Sequence, residues 1–250
     1  DTRMRMLAKE VGDELKTNIV VENKAGAGGV IGTAYIAKAK PDGYTIGSGN
    51  LAPLSVNPTL MPKNVSYDVQ KDLVPIILVE ESPLILNVNN NVPVNNVQEL
   101  IELAKKEPTS IRFGSSGVGG AHHLSGELFA EEAGVKLTHV PYKGGSPAAT
   151  DLMAGHIDMM FEMGYAAMPA IDAKKVKPMA VTSAKRLPLL PEVPTLAEAG
   201  LPGFESYNWQ GVIAPAGTPK AVIEKLNAAF NKVLQKPEVI KAFDETGGQI

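Results

Sequence analysis

Hydrophobic positions open the chain at helical spacing, with Met4, Leu7, Ala8, Val11 and Leu15 on one face. Residues 18–21 form a short β-branched run and read as a strand. A glycine-rich loop over 25–29 leads into a second helical stretch that runs through Ala39. Pro41, Asp42 and Gly43 then signal a turn. A short strand is expected over 44–47, ending in the small polar residues Ser48, Gly49 and Asn50, and 51–72 reads as irregular. Apolar and β-branched residues fill 74–88, the pattern of a buried strand or strand pair. Beyond it, helices are expected over 97–106, 124–133, 147–153, 165–173 and 219–234, the last capped by Thr218 before Pro219. The strands between them fall at 111–114, 137–141, 157–161 and 178–182, and 203–214 reads as extended.

Strands alternating with helices at this spacing indicate an α/β fold with largely parallel sheets. Two stretches, 79–94 and 204–216, are extended with no helix between their parts, and they suit the two crossovers of a hinge joining two lobes. The lobes would be residues 1–90 plus 211–250, and residues 91–210. No repeat or low-complexity tract interrupts this organisation.

Composition narrows the partners. A net charge of −3 and a 5% aromatic content fit neither a phosphate-backbone binder nor a base-stacking platform, so no nucleic-acid partner is expected. The absence of cysteine removes disulfides, thiolate metal sites and cysteine nucleophiles. No apolar run approaches the roughly 20 residues of a membrane span. The chain starts at Asp1 within what reads as a helix, so the N-terminus is read as trimmed and any leader as removed.

The chemistry concentrates in glycine-rich loops. From Ser115 to His122 a strand ends, glycines permit positive φ, and the free N–H groups of a helix start converge, which suits a carboxylate or phosphate without any cationic side chain. A tight strand–helix turn with no ligand is the competing reading. The loop at 24–29 holds Gly26, Gly28 and Gly29 but spells neither a Walker A loop nor a full dinucleotide fingerprint. His122, His123, His139 and His156 show no metal-ligand spacing, and no metal or cofactor is expected. The sequence around Ser115 and Ser116 does not form the nucleophile elbow of a serine hydrolase, so no catalytic residue is assigned. Asp158 could cap the element after its strand, and Glu162, at a strand end, could face a ligand crevice or simply solvent.

Several strings together resemble one family. They are Val20 to Gly29, Pro41 to Thr45, His123 to Phe129, Val140 to Gly144, Asp151 to Asp158, Ala180 to Arg186, Val193 to Gly200 and Ala214 to Pro219, in family order. Each resembles a signature of the Bug-type receptors that serve tripartite tricarboxylate transporters. The resemblance implies a type II periplasmic-binding-protein fold, two α/β lobes closing by hinge motion on a small carboxylate held largely by loop N–H groups and waters. It implies a periplasmic receptor for an organic dicarboxylate, amino acid or aromatic acid, with membrane transporter subunits as partners and a monomeric state. Members usually begin with a strand and loop before the first helix and end in a further helix, so both ends of this chain are read as short of the family's length.

The residues expected to line the cleft are Ser48 and Asn50 from the first lobe. From the second they are Ser115, Ser116, Gly119, Gly120, Ala121, His122, Tyr142, Lys143, Gly144 and Glu162. His122 stands where the family commonly has a small polar residue, and Glu162 where it commonly has Asp or Asn. Two alternatives remain: a ligand sensor feeding a two-component kinase, and an enzyme using Gly26 to Gly29 as a phosphate loop.

Overall fold

The computed structural model describes residues 2–245 and 247–250. It forms two compact units, one of Asp1–Glu81, Trp209–Asp244 and Ile250, the other of Ser82–Asn208 and Glu245–Gln249. The chain runs through α1 (Thr2–Leu15), α2 (Val30–Ala37), β1 (Gly47–Asn50), α3 (Asn57–Leu60) and α4 (Val69–Asp72). Strand β2 (Leu73–Asn89) carries it into the second unit. There follow α5 (Val97–Lys106), β3 (Arg112–Ser115), α6 (Ala121–Ala133), β4 (Thr138–Pro141), α7 (Gly145–Ala154), β5 (Met159–Met163), α8 (Gly164–Asp172) and β6 (Val176–Val181). Strand β7 (Tyr207–Pro215) returns to the first unit, which closes with α9 (Lys220–Leu234) and α10 (Pro237–Asp244). The unit boundaries thus fall inside the two extended stretches, at 81/82 and 208/209 rather than near 90 and 210.

In the first unit β7 lies between β1 and β2, antiparallel to β1 with Gly47 opposite Ile213. Pleating sends consecutive residues of β7 to opposite faces. Val212 and Ala214 join Leu7 and Val11 of α1 and Leu226, Phe230 and Val233 of α9, while Ile213 packs with Val30 and Ile36 of α2. Three expectations need correcting here. Residues 18–21 are in no strand, and Val20 is 82% exposed, because a β-branched run without a hydrogen-bonded neighbour has nothing to fix it as one. Strand β1 begins at Gly47, where the expected strand ended, so Ser48 and Asn50 lie in a ladder and not in a loop. Thr218 does not cap α9: its hydroxyl donates to the Pro215 carbonyl at 2.8 Å, and Pro219 takes the cap position.

The second unit has strand order β6–β2–β5–β3–β4. β3, β4, β5 and β6 share one direction; β2 alone opposes them, antiparallel to both β5 and β6, which is where the sheet departs from the expected parallel arrangement. The reason is that β2 enters from the other unit and is not laid down by a helical crossover, the connection that makes neighbours parallel. Residues 82–89 of β2 are all buried, as expected of a strand covered on both faces. Phe161 of β5 meets Phe129 of α6, with ring centroids 6.0 Å apart, whereas the preceding Met160 packs with Ala148 and Leu152 of α7. Strands β3, β4 and β5 end at one edge of the sheet, and each runs on into a helix. That edge holds the candidate site.

Candidate functional site

Strand β3 ends at Ser115, which is fully buried. Its hydroxyl lies 2.6 Å from His139 Nε2 and accepts the Gly117 N–H at 3.2 Å, so it shapes the loop from within. Gly117 and Gly119 take φ of 133° and 82°, values that a side chain would strain. The turn delivers the chain to Gly120, the N-cap of α6, where no side chain caps the helix. The first-turn N–H groups of a helix carry partial positive charge and lack intrahelical partners. His123 buttresses the loop by accepting the Gly119 N–H on Nδ1 at 3.1 Å.

The neighbouring strand repeats the device. β4 leads through Tyr142, Lys143 and Gly144 to α7, again with no side-chain cap and with Gly144 at φ 124°. The Tyr142 hydroxyl turns away to donate to Asp151 at 2.7 Å, and burial followed by that carboxylate pushes its pKa up to about 12. Lys143 is exposed.

Between the two helix starts lies a hydrogen-bonded chain. Ser116 Oγ is 2.7 Å from His122 Nδ1, and His122 Nε2 is 2.9 Å from Glu162 Oε1. The same oxygen accepts the Met163 N–H at 2.9 Å. Glu162 is 4% exposed, and its second oxygen, Oε2, has no hydrogen-bond partner among the described residues. A Cβ placed on Gly145 would stand 3.2 Å from that oxygen and 3.9 Å from His122 Nε2, so the carboxylate occupies the start of α7. A Cβ on Gly120 would meet Ser116 Oγ at 3.4 Å, which sets that hydroxyl at the start of α6. Glu162 therefore does not simply face solvent, the alternative its strand-end position allowed.

The structure thus gathers Ser116, Gly120, His122 and Glu162 tightly, with Gly119 and Ala121 in the same turn and Gly144 at the parallel position after β4. Ser48 and Asn50 belong to the first unit, on the opposite face of β1 from Gly49, which packs toward Leu54 and Ile213. Asp158 does not cap the following element. Its two carboxylate oxygens take the Arg112 guanidinium at 2.9 and 3.0 Å, at the far end of β3 from the loop. Two histidines escaped the sequence reading as loop supports. His139 and His123 stack at 4.1 Å, and Phe113 stacks on His139 at 4.9 Å. Burial, then the neighbouring His123, lowers the His139 pKa to about 4, and burial lowers that of His123 against the opposing pull of Glu127. The signal for His139 was its register opposite Phe113, which only strand pairing reveals. Among the described residues no group of three metal-ligating side chains converges.

The model of one family, described as the tripartite tricarboxylate transporter family receptor, matches residues 3–249. The chain belongs to that receptor family. Solved structures agree with the assignment. The periplasmic binding protein BugD is 38% identical, with a TM-score of 0.93 over 100% of this chain and 83% of that one. A Rhodopseudomonas palustris protein solved with adipate is 34% identical, with a TM-score of 0.96 over 100% of this chain and 83% of that one. MatC from the same organism, solved with bound malate, is 33% identical, with a TM-score of 0.93 over 100% and 85%. The α/β architecture read from the sequence is accordingly that of the periplasmic binding proteins, and the resemblance to Bug-type receptors holds across the chain. Tripartite tricarboxylate receptors are solute-binding proteins, and no helix among the described residues is long and apolar enough to cross a membrane.

Proposed function

We propose that this receptor captures a small carboxylate in the periplasm and presents it to the membrane subunits of a tripartite tricarboxylate transporter, without chemical turnover. The observation that carries this reading is the pair of uncapped helix starts at one sheet edge, with Ser116 set at the first and no Arg or Lys from Ser115 to His122. Helix N-termini bind carboxylates through backbone N–H groups. Glu162 already places a carboxylate at the start of α7, so the ligand's anionic group belongs at α6, against Gly120, Ala121 and Ser116. The relatives solved with adipate and malate support a di-acid.

Calorimetry against citrate, malate, adipate, glutamate and benzoate tests the proposal. At least one acid should bind, and its methyl ester should bind at least about a hundredfold more weakly, since charge-assisted hydrogen bonds contribute roughly 1.5–3 kcal/mol each. Lys143→Ala should cost less than about tenfold, because an exposed point charge is screened. A larger loss from Lys143→Ala than from the ester would show that a side-chain cation holds the acid.

A second reading has one observation in its favour. Ser116, His122 and Glu162 form a serine–histidine–carboxylate chain, the groups of an acyl-transfer site. Here Ser116 meets Nδ1 of the imidazole and Glu162 meets Nε2, the reverse of the arrangement in the serine proteases. Release of nitrophenol from nitrophenyl acetate, lost in Ser116→Ala, would favour this reading over a receptor.

A further inference from the structure

The hydrogen-bonded chain fixes what Ser116 can offer to a ligand. Glu162 Oε1 accepts the Met163 N–H and lies 2.9 Å from His122 Nε2, and a carboxylate there can only accept from the imidazole. A neutral His122 then carries its proton on Nε2, leaving Nδ1 as an acceptor. Ser116 must spend its only hydroxyl proton on Nδ1 at 2.7 Å, and it turns lone pairs toward the start of α6. Lone pairs repel an incoming carboxylate oxygen. An imidazolium reverses this: Nδ1–H donates to Ser116 Oγ, and the hydroxyl proton is free for the ligand. The unpartnered Oε2 of Glu162, in a side chain 5% exposed, points the same way, because a buried carboxylate with one unsatisfied oxygen is poorly balanced by a neutral neighbour.

We propose that Ser116, His122 and Glu162 couple carboxylate capture to the uptake of one proton from solvent, which adds to His122 Nδ1 while the Ser116 hydroxyl swings to the ligand. The inference rests on the carboxylate reading of the α6 start. In it Ser116 is a ligand contact, and His122 and Glu162 are positioning residues that set its donor direction. Other ionisable groups nearby are engaged elsewhere or exposed. On β5 the ionisable residue is Glu162 itself, and Arg112 of β3 is bound to Asp158. Asp151 of α7 is held by Tyr142 and His156, and Lys143 in the preceding loop is exposed. On α6 itself, His123 turns to Gly119, His139 and Glu127.

The test is calorimetric titration of malate and adipate from about pH 6 to about pH 9 in phosphate and in Tris, whose ionisation heats differ. Binding should draw up to one proton per ligand, seen as a buffer-dependent heat, and Kd should rise by up to about tenfold per pH unit. Glu162→Gln keeps the Nε2 contact but not the charge, and should remove both the proton uptake and the pH slope. Ser116→Ala, at a half-buried position, tests the same coupling should the Glu162 variant fold poorly, and it should also abolish the uptake. Tight binding of either acid with no buffer-dependent heat and a flat Kd would overturn the coupling while leaving the receptor reading intact. No binding of any panel acid at any pH would bring down the receptor reading, and the coupling with it.

Discussion

Gly126 decides how closely α6 approaches the sheet. A Cβ there would stand 2.3 Å from Phe113 Cε2 and 2.5 Å from its Cδ2. Phe113 is 1% exposed and stacked on His139, so it has nowhere to retreat. Helix propensity alone favours Ala over Gly by about 1 kcal/mol. Overpacking a rigid core costs typically about 1–3 kcal/mol, and at this position it should win. Gly126→Ala is therefore expected to lower the melting temperature in calorimetry, whereas a rise would mean that α6 can slide outward on its strand. Such sliding would displace the helix start that Gly120 presents, so ligand affinity would then fall even though stability rose.

At the scale of the element, the loop between β3 and α6 stands on the stack of Phe113, His139 and His123. Both imidazoles have pKa values below the ordinary 6.5 in the folded chain, His139 at about 4. A base whose folded pKa is depressed binds fewer protons folded than unfolded. The stability this arrangement provides is present above about pH 6.5 and is lost as pH falls toward about 4. Protonating His123 on Nδ1 would also end its acceptance of the Gly119 N–H, so the loop should loosen over the same window. Melting temperatures measured downward from neutral pH should decline through it. His139→Gln retains a polar partner for Ser115 without titrating, and should flatten the decline. An unchanged profile would show that the stack does not carry the acid sensitivity.

The whole molecule divides into units with cores of their own. Two clusters of the second unit, around Ile85, Val181 and Leu187 and around Leu152, Ile157 and Met160, draw only on residues within 82–208. The first unit is discontinuous, and Val212, Ala214, Leu226 and Phe230 of its main cluster come from the returning segment. A fragment of residues 82–208 should therefore fold, with dispersed amide resonances and cooperative melting, while residues 1–81 alone should not. Its stability should be somewhat reduced, since the Glu245–Gln249 segment belongs to the same unit and brings Gly247 close to Leu187 and Leu189. An unfolded 82–208 fragment would show that the second unit depends on the rest of the chain.

Much of this was already present in the one-dimensional pattern, and the division has a physical basis. Helix α5 is legible at its observed bounds, 97–106, because its apolar spacing and polar ends are local properties. The Ser115–His122 loop was legible for the same reason: glycines that need positive φ lie between a strand and a helix. Chain order and apolar length also marked 79–94 and 204–216 as the connecting stretches. Strand direction was not legible at β2, because pairing with β5 and β6 is made by residues some 75 and 95 positions away, roughly the spacing of partners that only long-range contacts bring together. Neither was the pairing of His139 with Ser115, nor the bond between His122 and Glu162 across 40 residues. Local sequence determined which segments could form helices, strands and a glycine turn at a helix start. The tertiary structure alone decided which histidine meets which serine, because parallel strands set distant residues side by side in a register fixed by the whole sheet.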